Sequence, residues 1–382
     1  MVGAARLRLV FFGTPDFAVP TLDALLRSRH RVVGVVTRAD RPRGRGQKTS
    51  EPPVKARAIA AGLPVLQPER LKDEGFLAAF AAFNPDLIVL AAYGKILTDA
   101  VLATPRLGVL NVHASLLPSY RGAAPVHRAV LNGDRETGVT IMKMVKALDA
   151  GPMLAAVRHP IGPDETSEDV ERALGQIGAE LLVATVDALA AGPVPEVPQD
   201  DAAATYAHRI TKEDGVVDWT LPAVRIHDLI RGLYPWPHAS TFYRGRRLIL
   251  LRSAVMEKGS GSFFLGQSGH SADSPEAAVF QPDRTMTTTP KRGRESFFSD
   301  DFEKTLATTG DLAPAVAAEK KTPDPFSPGT ILEAAGDRLH VATGGGTLAI
   351  TQIQVEGRRP MTSREFLAGH PLAAGEMLTP HP

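Results

Sequence analysis

The sequence predicts an α/β protein with a doubly wound, mostly parallel sheet in its N-terminal part and a smaller β-barrel in its C-terminal part. Leu7–Phe12 and Arg31–Thr37 are expected to be buried strands on either side of a helix, which is the βαβ unit of a parallel sheet. Asp86–Ala92 is a nearly continuous apolar run, typical of a central strand that is buried on both faces. From Arg247 onwards the pattern changes to short strands with glycine turns, which indicates a small barrel.

The composition is that of a soluble globular protein with room for two domains. The chain has 382 residues, of which 43% are hydrophobic and 22% are charged. The formal net charge is +1, so any nucleic-acid-binding surface has to be local. There are no cysteines, which excludes disulfides, thiolate nucleophiles and cysteine-ligated zinc and agrees with a reducing compartment.

No targeting or membrane-spanning segment is expected. The first apolar run is short, is interrupted by Arg8 and ends at the turn that starts with Gly13, so it lacks the features of a signal peptide. No apolar segment is expected to be long enough to cross a bilayer. The predicted location is therefore the cytoplasm, with no membrane partner and no stable protein partner implied.

The loops after the first two predicted strands indicate which ligands the protein can bind. The first turn has a single glycine, Gly13, where a dinucleotide site needs G-x-G-x-x-G, so a nicotinamide-dependent enzyme is disfavoured. The second loop, Arg38–Lys48, carries five basic residues against one acid, Asp40, and contains Gly44 and Gly46. It is no P-loop, and two interpretations stay open: a flexible solvated loop, or a guanidinium-rich loop that binds phosphates.

Helices and strands continue to alternate in the middle of the chain. Helices are expected over Val54–Ala61 and Leu71–Phe83, and strands over Thr140–Val145 and Met153–His159. A capping box then opens a long helix at Thr166–Ala191, whose apolar residues recur at helical spacing and predict core packing.

A proline-rich stretch divides the chain. We predict a catalytic domain over residues 1–191, a stiff linker with three prolines over 192–206, and a C-terminal domain over 207–382. In that last domain, Thr347–Val355 shows a phase slip that is consistent with a β-bulge. Residues 257–325 are rich in Gly, Ser, Thr, Pro and charge, and are expected to form a mostly disordered insert between strands of the barrel.

The strongest functional signal lies in Gly108–Pro125. This stretch begins as a strand, and alternation puts Asn111 and His113 on one face at its C-terminal end, where α/β sheets place their chemistry. Asp149, in a turn before Gly151, is the third candidate. Each residue alone has an ordinary structural interpretation, because Asn and Asp are common in turns and a lone His is usually structural. The three together favour an active site.

These segments resemble the folate-dependent formyltransferases. The resemblance is carried by FFGTPDFAVPTLDALL, RADRPRGRGQK, NVHASLLPSYRGAAP, ETGVTIMKM, LDAGPM and DWTLPAVRIHDLIRGLYPWP. It covers residues 6–256 and 327–368. The Asn-x-His…Asp set identifies the superfamily, while the RGRG loop and the C-terminal half look like the methionyl-tRNA formyltransferase family. The resemblance implies the formyltransferase fold for the N-terminal domain and an OB-like, tRNA-binding barrel for the C-terminal one.

The resemblance also implies a reaction. A formyl group would pass from 10-formyltetrahydrofolate to the α-amine of methionine on initiator methionyl-tRNA. Asn111 and a protonated His113 would stabilise the oxyanion, Asp149 would orient His113, and no metal is required.

Two further sets of residues are assigned by resemblance. The wall of the folate pocket is assigned to Ser115, Leu116, Leu117 and Pro118. An ordinary strand-to-helix loop is the alternative for these four. The loop that enters the acceptor arm of tRNA is assigned to Arg43, Arg45 and Lys48.

Other acceptors stay open at this point. A purine-pathway formyltransferase normally ends near residue 200, an amino-sugar formyltransferase has a similar core, and a formyltetrahydrofolate hydrolase would use water. A non-catalytic RNA-binding paralogue is the alternative outside enzymes. The basic loop favours a tRNA acceptor, and the intact Asn111, His113 and Asp149 favour catalysis. One departure is Ala147, where the family often has Gly, and it is expected to shift the Asp149 turn slightly.

Overall fold

A computed structural model describes residues 5–43, 48–256, 278–279 and 327–382. These residues fall into two compact units. Unit 1 contains the chain up to Val216 together with Leu229–Ala239 and residues 278–279, and unit 2 contains Val217–Asp228 with residues 240–256 and 327–382.

The strands follow one another in chain order. They are β1 (Arg8–Gly13), β2 (Arg31–Val36), β3 (Arg41–Arg43), β4 (Lys48–Ser50), β5 (Val65–Leu66), β6 (Leu87–Ala91), β7 (Val109–His113), β8 (Arg121–Gly122), β9 (Glu136–Lys143), β10 (Met153–Pro160), β11 (Tyr206–Ala207), β12 (Ala239–Tyr243), β13 (Arg246–Met256), β14 (Ala278–Val279), β15 (Ile331–Ala335), β16 (Arg338–Ala342), β17 (Thr347–Val355) and β18 (Met361–Thr362).

The α-helices are interspersed among them. They are α1 (Val19–Arg27), α2 (Pro53–Ala60), α3 (Glu74–Ala82), α4 (Asp99–Ala103), α5 (Pro125–Asn132), α6 (Ser167–Ala191), α7 (Ala223–Gly232) and α8 (Ser363–Gly369).

Unit 1 is built on a mixed sheet with the order β14-β10-β9-β7-β6-β1-β2-β5. The five strands from β7 to β5 in that order are parallel, and β9 and β10 extend the sheet antiparallel. The chain runs from β1 to β2 on one side and later returns to β6 on the other side of β1. This reversal confirms the predicted doubly wound, mostly parallel sheet, and it creates the crevice in which such sheets bind ligands.

Both faces of this sheet are covered. Leu9 and Phe11 of β1 lie in one apolar cluster with residues of α1 and α6, whereas Val10 and Phe12 lie in a second cluster with residues of α3. Successive side chains of a strand point to opposite faces, so a strand that is covered on both sides has to be apolar throughout. The same explanation holds for the continuous apolar run at β6, all of which is buried.

The long helix α6 begins with the predicted capping box. The Thr166 side chain accepts from the Asp169 amide, and the Asp169 side chain accepts from the Thr166 amide. Val170, Leu174 and Leu182 are buried in the core of unit 1, as predicted. The expectation that no segment is long enough to cross a membrane is wrong for α6, which has 25 residues and suffices by length and composition alone. Its packing against the sheet makes it a core helix.

Unit 2 is an antiparallel sheet with the order β12-β13-β17-β16-β15 and with β18 beside β17. Its two edges are joined by the C-terminal segment, because Phe242 of β12 forms a bridge with Thr379, and Thr330 beside β15 forms one with Met377. The strands therefore close into a small barrel, as predicted. The predicted bulge is also present, since the register between β13 and β17 shifts twice near Arg252, once on each strand.

The segments predicted as a linker and as an insert both contact unit 1. Val197 of the proline-rich stretch forms a bridge with Met153, and β11 pairs in parallel with β8. Within residues 257–325, β14 pairs with Ala155 and Ala156 at the edge of the sheet. The remainder of that insert lies outside the described residues. The domain limits at 191 and 207 stay a prediction.

Candidate active site

Strand β7 presents two polar side chains in an otherwise apolar environment. Asn111 and His113 lie two residues apart on one face, and they are 6% and 5% exposed. Asn111 lies opposite Leu90 of β6 on one side and Met142 of β9 on the other. Neighbouring strands on both sides therefore fix the positions from which the two side chains project.

The His113 ring is oriented by the backbone that follows β7. Its Nε2 lies 2.9 Å from the carbonyl oxygen of Tyr120. A carbonyl can only accept, so Nε2 carries a proton, and Nδ1 is left facing Asp149 with 3.8 Å between Nδ1 and Oδ2. An imidazolium at this position would present its second N–H to the carboxylate.

Asp149 is held by hydrogen bonds from two other segments, one from a backbone amide and one from a side chain. Its Oδ2 accepts from the Gly122 amide at 2.9 Å, and its own carbonyl accepts from Gln199 at 2.8 Å. Its φ of +45° is an uncommon value for a residue with a side chain, although Asp tolerates it better than most. The turn also needs glycine at 151, because a Cβ there would lie 1.8 Å from the carbonyl oxygen of Lys143.

Asn111, His113 and Asp149 line one cavity of about 640 Å³. Most of the remaining wall comes from three stretches: residues 92–97 after β6, residues 122–127 at the start of α5, and residues 144–149 between β9 and β10. The volume is in the usual range for a small-molecule site, and the polar trio lies among mostly apolar neighbours.

The mouth and the interior of the cavity differ in character. Ile96 and Leu148 are 89% and 60% exposed, which is unusual for large apolar side chains lining a cavity. Inside, burial raises the pKa of Glu171, with Asp16 and Glu168 contributing, and burial lowers the pKa of His127. Burial also raises the pKa of Tyr93 to about 12.

Comparison with known proteins identifies the chain. The Formyl transferase family model matches residues 7–186, and the Formyl transferase C-terminal domain matches residues 209–276 and 303–371. The methionyl-tRNA formyltransferase of Moorella thermoacetica is 39% identical over 372 residues, which is 97% of this chain and 99% of the relative. The chain belongs to the methionyl-tRNA formyltransferase family.

A second relative agrees with that assignment, and a solved structure shares the fold. The methionyl-tRNA formyltransferase of Trichlorobacter lovleyi is 39% identical over 374 residues, covering 98% of each chain. The solved structure of a HypX variant from Aquifex aeolicus has the same fold over 97% of this chain and 49% of its own, with a TM-score of 0.57 and 14% identity. Residues 277–302, which the match to the C-terminal family model omits, lie within the insert predicted at 257–325.

The four residues assigned to the folate wall do not line the cavity of this formyltransferase. Ser115 donates its hydroxyl to the carbonyl oxygen of Ser119 at 2.6 Å and is fully buried. Leu117 packs with Met142 and Met153 in a small apolar cluster. Neither Leu116 nor Pro118 belongs to the lining. Direct contact of these four residues with folate stays a prediction.

Sequence reasoning singled out Asp149 and the stretch that ends at Pro125, and it missed most of the other residues in the three stretches of the cavity wall. Their signal was present in part, because Tyr93 and Gly94 follow a buried strand directly and Leu148 is an apolar residue beside Asp149. Nothing in the local pattern distinguished them from ordinary loop and core residues.

The basic loop of this formyltransferase is a short antiparallel ribbon at its base. β3 pairs with β4, and Arg43 lies opposite Lys48 at the last described pair before the tip. Arg45 lies outside the described residues. Asp40, which precedes β3, is anchored by ion pairing with Lys55 and by a hydrogen bond from Gln67.

Proposed function

We propose that this chain transfers the formyl group of 10-formyltetrahydrofolate to the α-amino group of methionine on initiator methionyl-tRNA, in the cytoplasm. The observation that carries the proposal is the convergence of Asn111, His113 and Asp149 on one cavity. The full-length relatives that are called methionyl-tRNA formyltransferases support the choice of acceptor.

The cavity fits the folate donor. A pterin is a flat ring system whose faces can lie against apolar side chains and whose edges carry hydrogen-bonding groups, and residues such as Tyr93, Leu97 and Val145 line a cavity of about 640 Å³ that would enclose it. Ile96 and Leu148 at the mouth would cover the part of the folate that extends outwards. When bound, the folate supplies an electrophilic formyl carbon on its N10 atom.

The polar trio would act on charge and protons in the transfer. As the methionyl amine attacks, negative charge develops on the formyl oxygen, and the Asn111 amide and the His113 imidazolium are the N–H donors available beside it. Asp149, which lies 3.8 Å from Nδ1, would stabilise the imidazolium and orient this N–H, the one that the Tyr120 carbonyl does not occupy. His113 can then give a proton to the departing N10 as the bond from N10 to the formyl carbon breaks, and the neutral imidazole can take up the proton that the amine loses.

The basic ribbon would hold the acceptor end of the tRNA. Arg43, Arg45 and Lys48 are assigned to phosphate contacts, because guanidinium and ammonium groups on a projecting loop neutralise phosphates and release counterions.

One assay tests this function directly. Labelled formyl transfer should be measured from 10-formyltetrahydrofolate to initiator methionyl-tRNA, with elongator methionyl-tRNA and an amino-sugar nucleotide as comparison acceptors. Transfer to the initiator tRNA in clear preference to both is the expected result. Preferential transfer to the sugar would mean an amino-sugar formyltransferase, and no transfer to any acceptor would mean a non-catalytic RNA-binding paralogue.

A further inference from the structure

Gln199 contacts the turn that carries Asp149 although it lies 50 residues away in the chain. Its Nε2 donates to the carbonyl oxygen of Asp149 at 2.8 Å and to that of Gly151 at 2.7 Å. Its Oε1 accepts from Arg121 Nε at 2.9 Å. Both N–H groups of the amide and its oxygen are therefore used, which fixes the Gln199 side chain in one orientation.

Arg121 binds Gln199 and directly precedes Gly122, whose backbone amide donates to the Asp149 carboxylate. The arginine is only 3% exposed, and its guanidinium also bonds Asp201 at 2.7 Å. The next residue, Gly122, donates its amide to Asp149 Oδ2. A Cβ at Gly122 would lie 2.8 Å from the carbonyl oxygen of Ala207 in β11, so this approach of the two strands requires glycine. Gln199 thus links the two ends of the contact between Asp149 and Gly122.

The same segment holds the backbone on which His113 depends. Thr205 accepts from the Tyr120 amide through its Oγ1 at 2.8 Å, and its carbonyl accepts from the Arg121 amide at 2.8 Å. The Tyr120 carbonyl is the partner of His113 Nε2. Gln199 and Thr205 therefore brace the Asp149 turn and the backbone partner of His113, respectively.

The Asp149 turn needs such a brace. Its positive φ is a conformation that persists only where surrounding contacts determine it. We propose that Gln199 is a positioning residue for formyl transfer, which keeps the Asp149 carboxylate on the Gly122 amide and directed at His113. The inference rests on the catalytic roles proposed above for His113 and Asp149.

The test is Gln199→Glu in the full chain. The new carboxylate keeps the size of the side chain and can still accept from Arg121, but it places an oxygen where the two carbonyls of the turn need a donor. We expect kcat to fall about tenfold or more, while KM for the folate and for methionyl-tRNA stays within about twofold, because Gln199 is not among the residues that line the cavity. Gln199→Met, which removes the donors without adding charge, should reproduce the loss.

Asp200→Ala is the matched control. Asp200 accepts from the Ala202 amide at 3.0 Å and so caps the short 3-10 turn Asp201–Ala203, next to Gln199 but without a bond to the Asp149 turn. This variant should lower Tm and leave kcat unchanged. A loss of kcat as large as that of Gln199→Glu would show that any disturbance of the segment suffices, and the inference would be wrong.

Amide exchange separates this inference from the proposed function. In Gln199→Glu, exchange at Gly122 and over residues 149–151 should become faster than in the wild type, and in Asp200→Ala it should not. If the wild-type chain transfers no formyl group, the proposed function fails, and the exchange still decides whether Gln199 holds the turn. Wild-type exchange at these positions, or a wild-type kcat with a lowered Tm, would overturn the inference.

Discussion

The contribution of Asp149 to turnover can be isolated with Asp149→Asn. An asparagine has the same size, and its carbonyl oxygen can still accept from the Gly122 amide, so the turn should persist. The negative charge 3.8 Å from His113 Nδ1 is lost. The variant therefore removes the electrostatic support of an imidazolium while it leaves the local hydrogen bonding in place.

The magnitude follows from burial and distance. The His113 and Asp149 side chains are 6% and 12% exposed, so water screens their interaction weakly. Coulomb's law at 3.8 Å gives roughly 4 kcal/mol at an effective dielectric constant of about 20. This value is an upper limit, because desolvation of the carboxylate opposes it. Since every 1.36 kcal/mol changes a rate about tenfold, we expect kcat to fall about a hundredfold to a thousandfold.

The assay is steady-state formyl transfer to initiator methionyl-tRNA, with folate affinity measured separately. Asp187→Asn is a suitable control, because Asp187 forms a second His–Asp contact in unit 1, 3.1 Å from His30 and outside the cavity lining. That variant should lose stability and keep its kcat. Near-wild-type turnover by Asp149→Asn would refute the role of the carboxylate.

Three further results are expected. Arg45→Ala should weaken the use of methionyl-tRNA and lower the salt slope of tRNA binding by about one, with folate affinity unchanged. An unchanged salt slope would favour the other interpretation, a solvated loop that does not contact phosphates. Ile96→Ser should raise KM for the folate about fivefold through lost apolar burial, whereas Ile59→Ser, at an exposed isoleucine outside the lining, should not. Burial lowers the pKa of His159, although Glu165 acts in the opposite direction. The folded state therefore favours the neutral ring. The corresponding stability is fully present above the unfolded-state pKa of about 6.5 and is lost as the pH falls towards the folded-state pKa. Tm should therefore drop between about pH 7 and pH 5, and the drop should be smaller in His159→Gln.

Strand alternation and helix-capping patterns predicted the elements whose structure depends mainly on local sequence. β17 spans Thr347–Val355, as predicted from its alternation, and α6 begins where the capping box placed it. Asn111 and His113 share a face because a strand has a period of two, and no tertiary information was needed to see it. The fold class followed from the same kind of signal, repeated along the chain.

The cavity wall could not be predicted in this way. Ser115 to Pro118 offered a rigid, apolar stretch next to His113, and proximity in sequence suggested proximity to the folate. The structure turns Leu117 towards Met142 and Met153, away from the cavity. The residues that do line it lie in loops from three separate parts of the chain, and sequence spacing does not show where such loops converge.

The proline-rich stretch is a second case in which sequence alone could not predict distant contacts. Proline and glycine predict an extended segment with few local bonds, and an extended segment was interpreted as a linker. An extended backbone also leaves its donors and acceptors free for distant partners, and here Val197 uses them to form a bridge with Met153. Gln199 bonds to Asp149, Gly151 and Arg121, which are 48 to 78 residues away. Asp149 looks like an ordinary turn residue in the sequence because everything that would make it catalytic is supplied by those distant contacts.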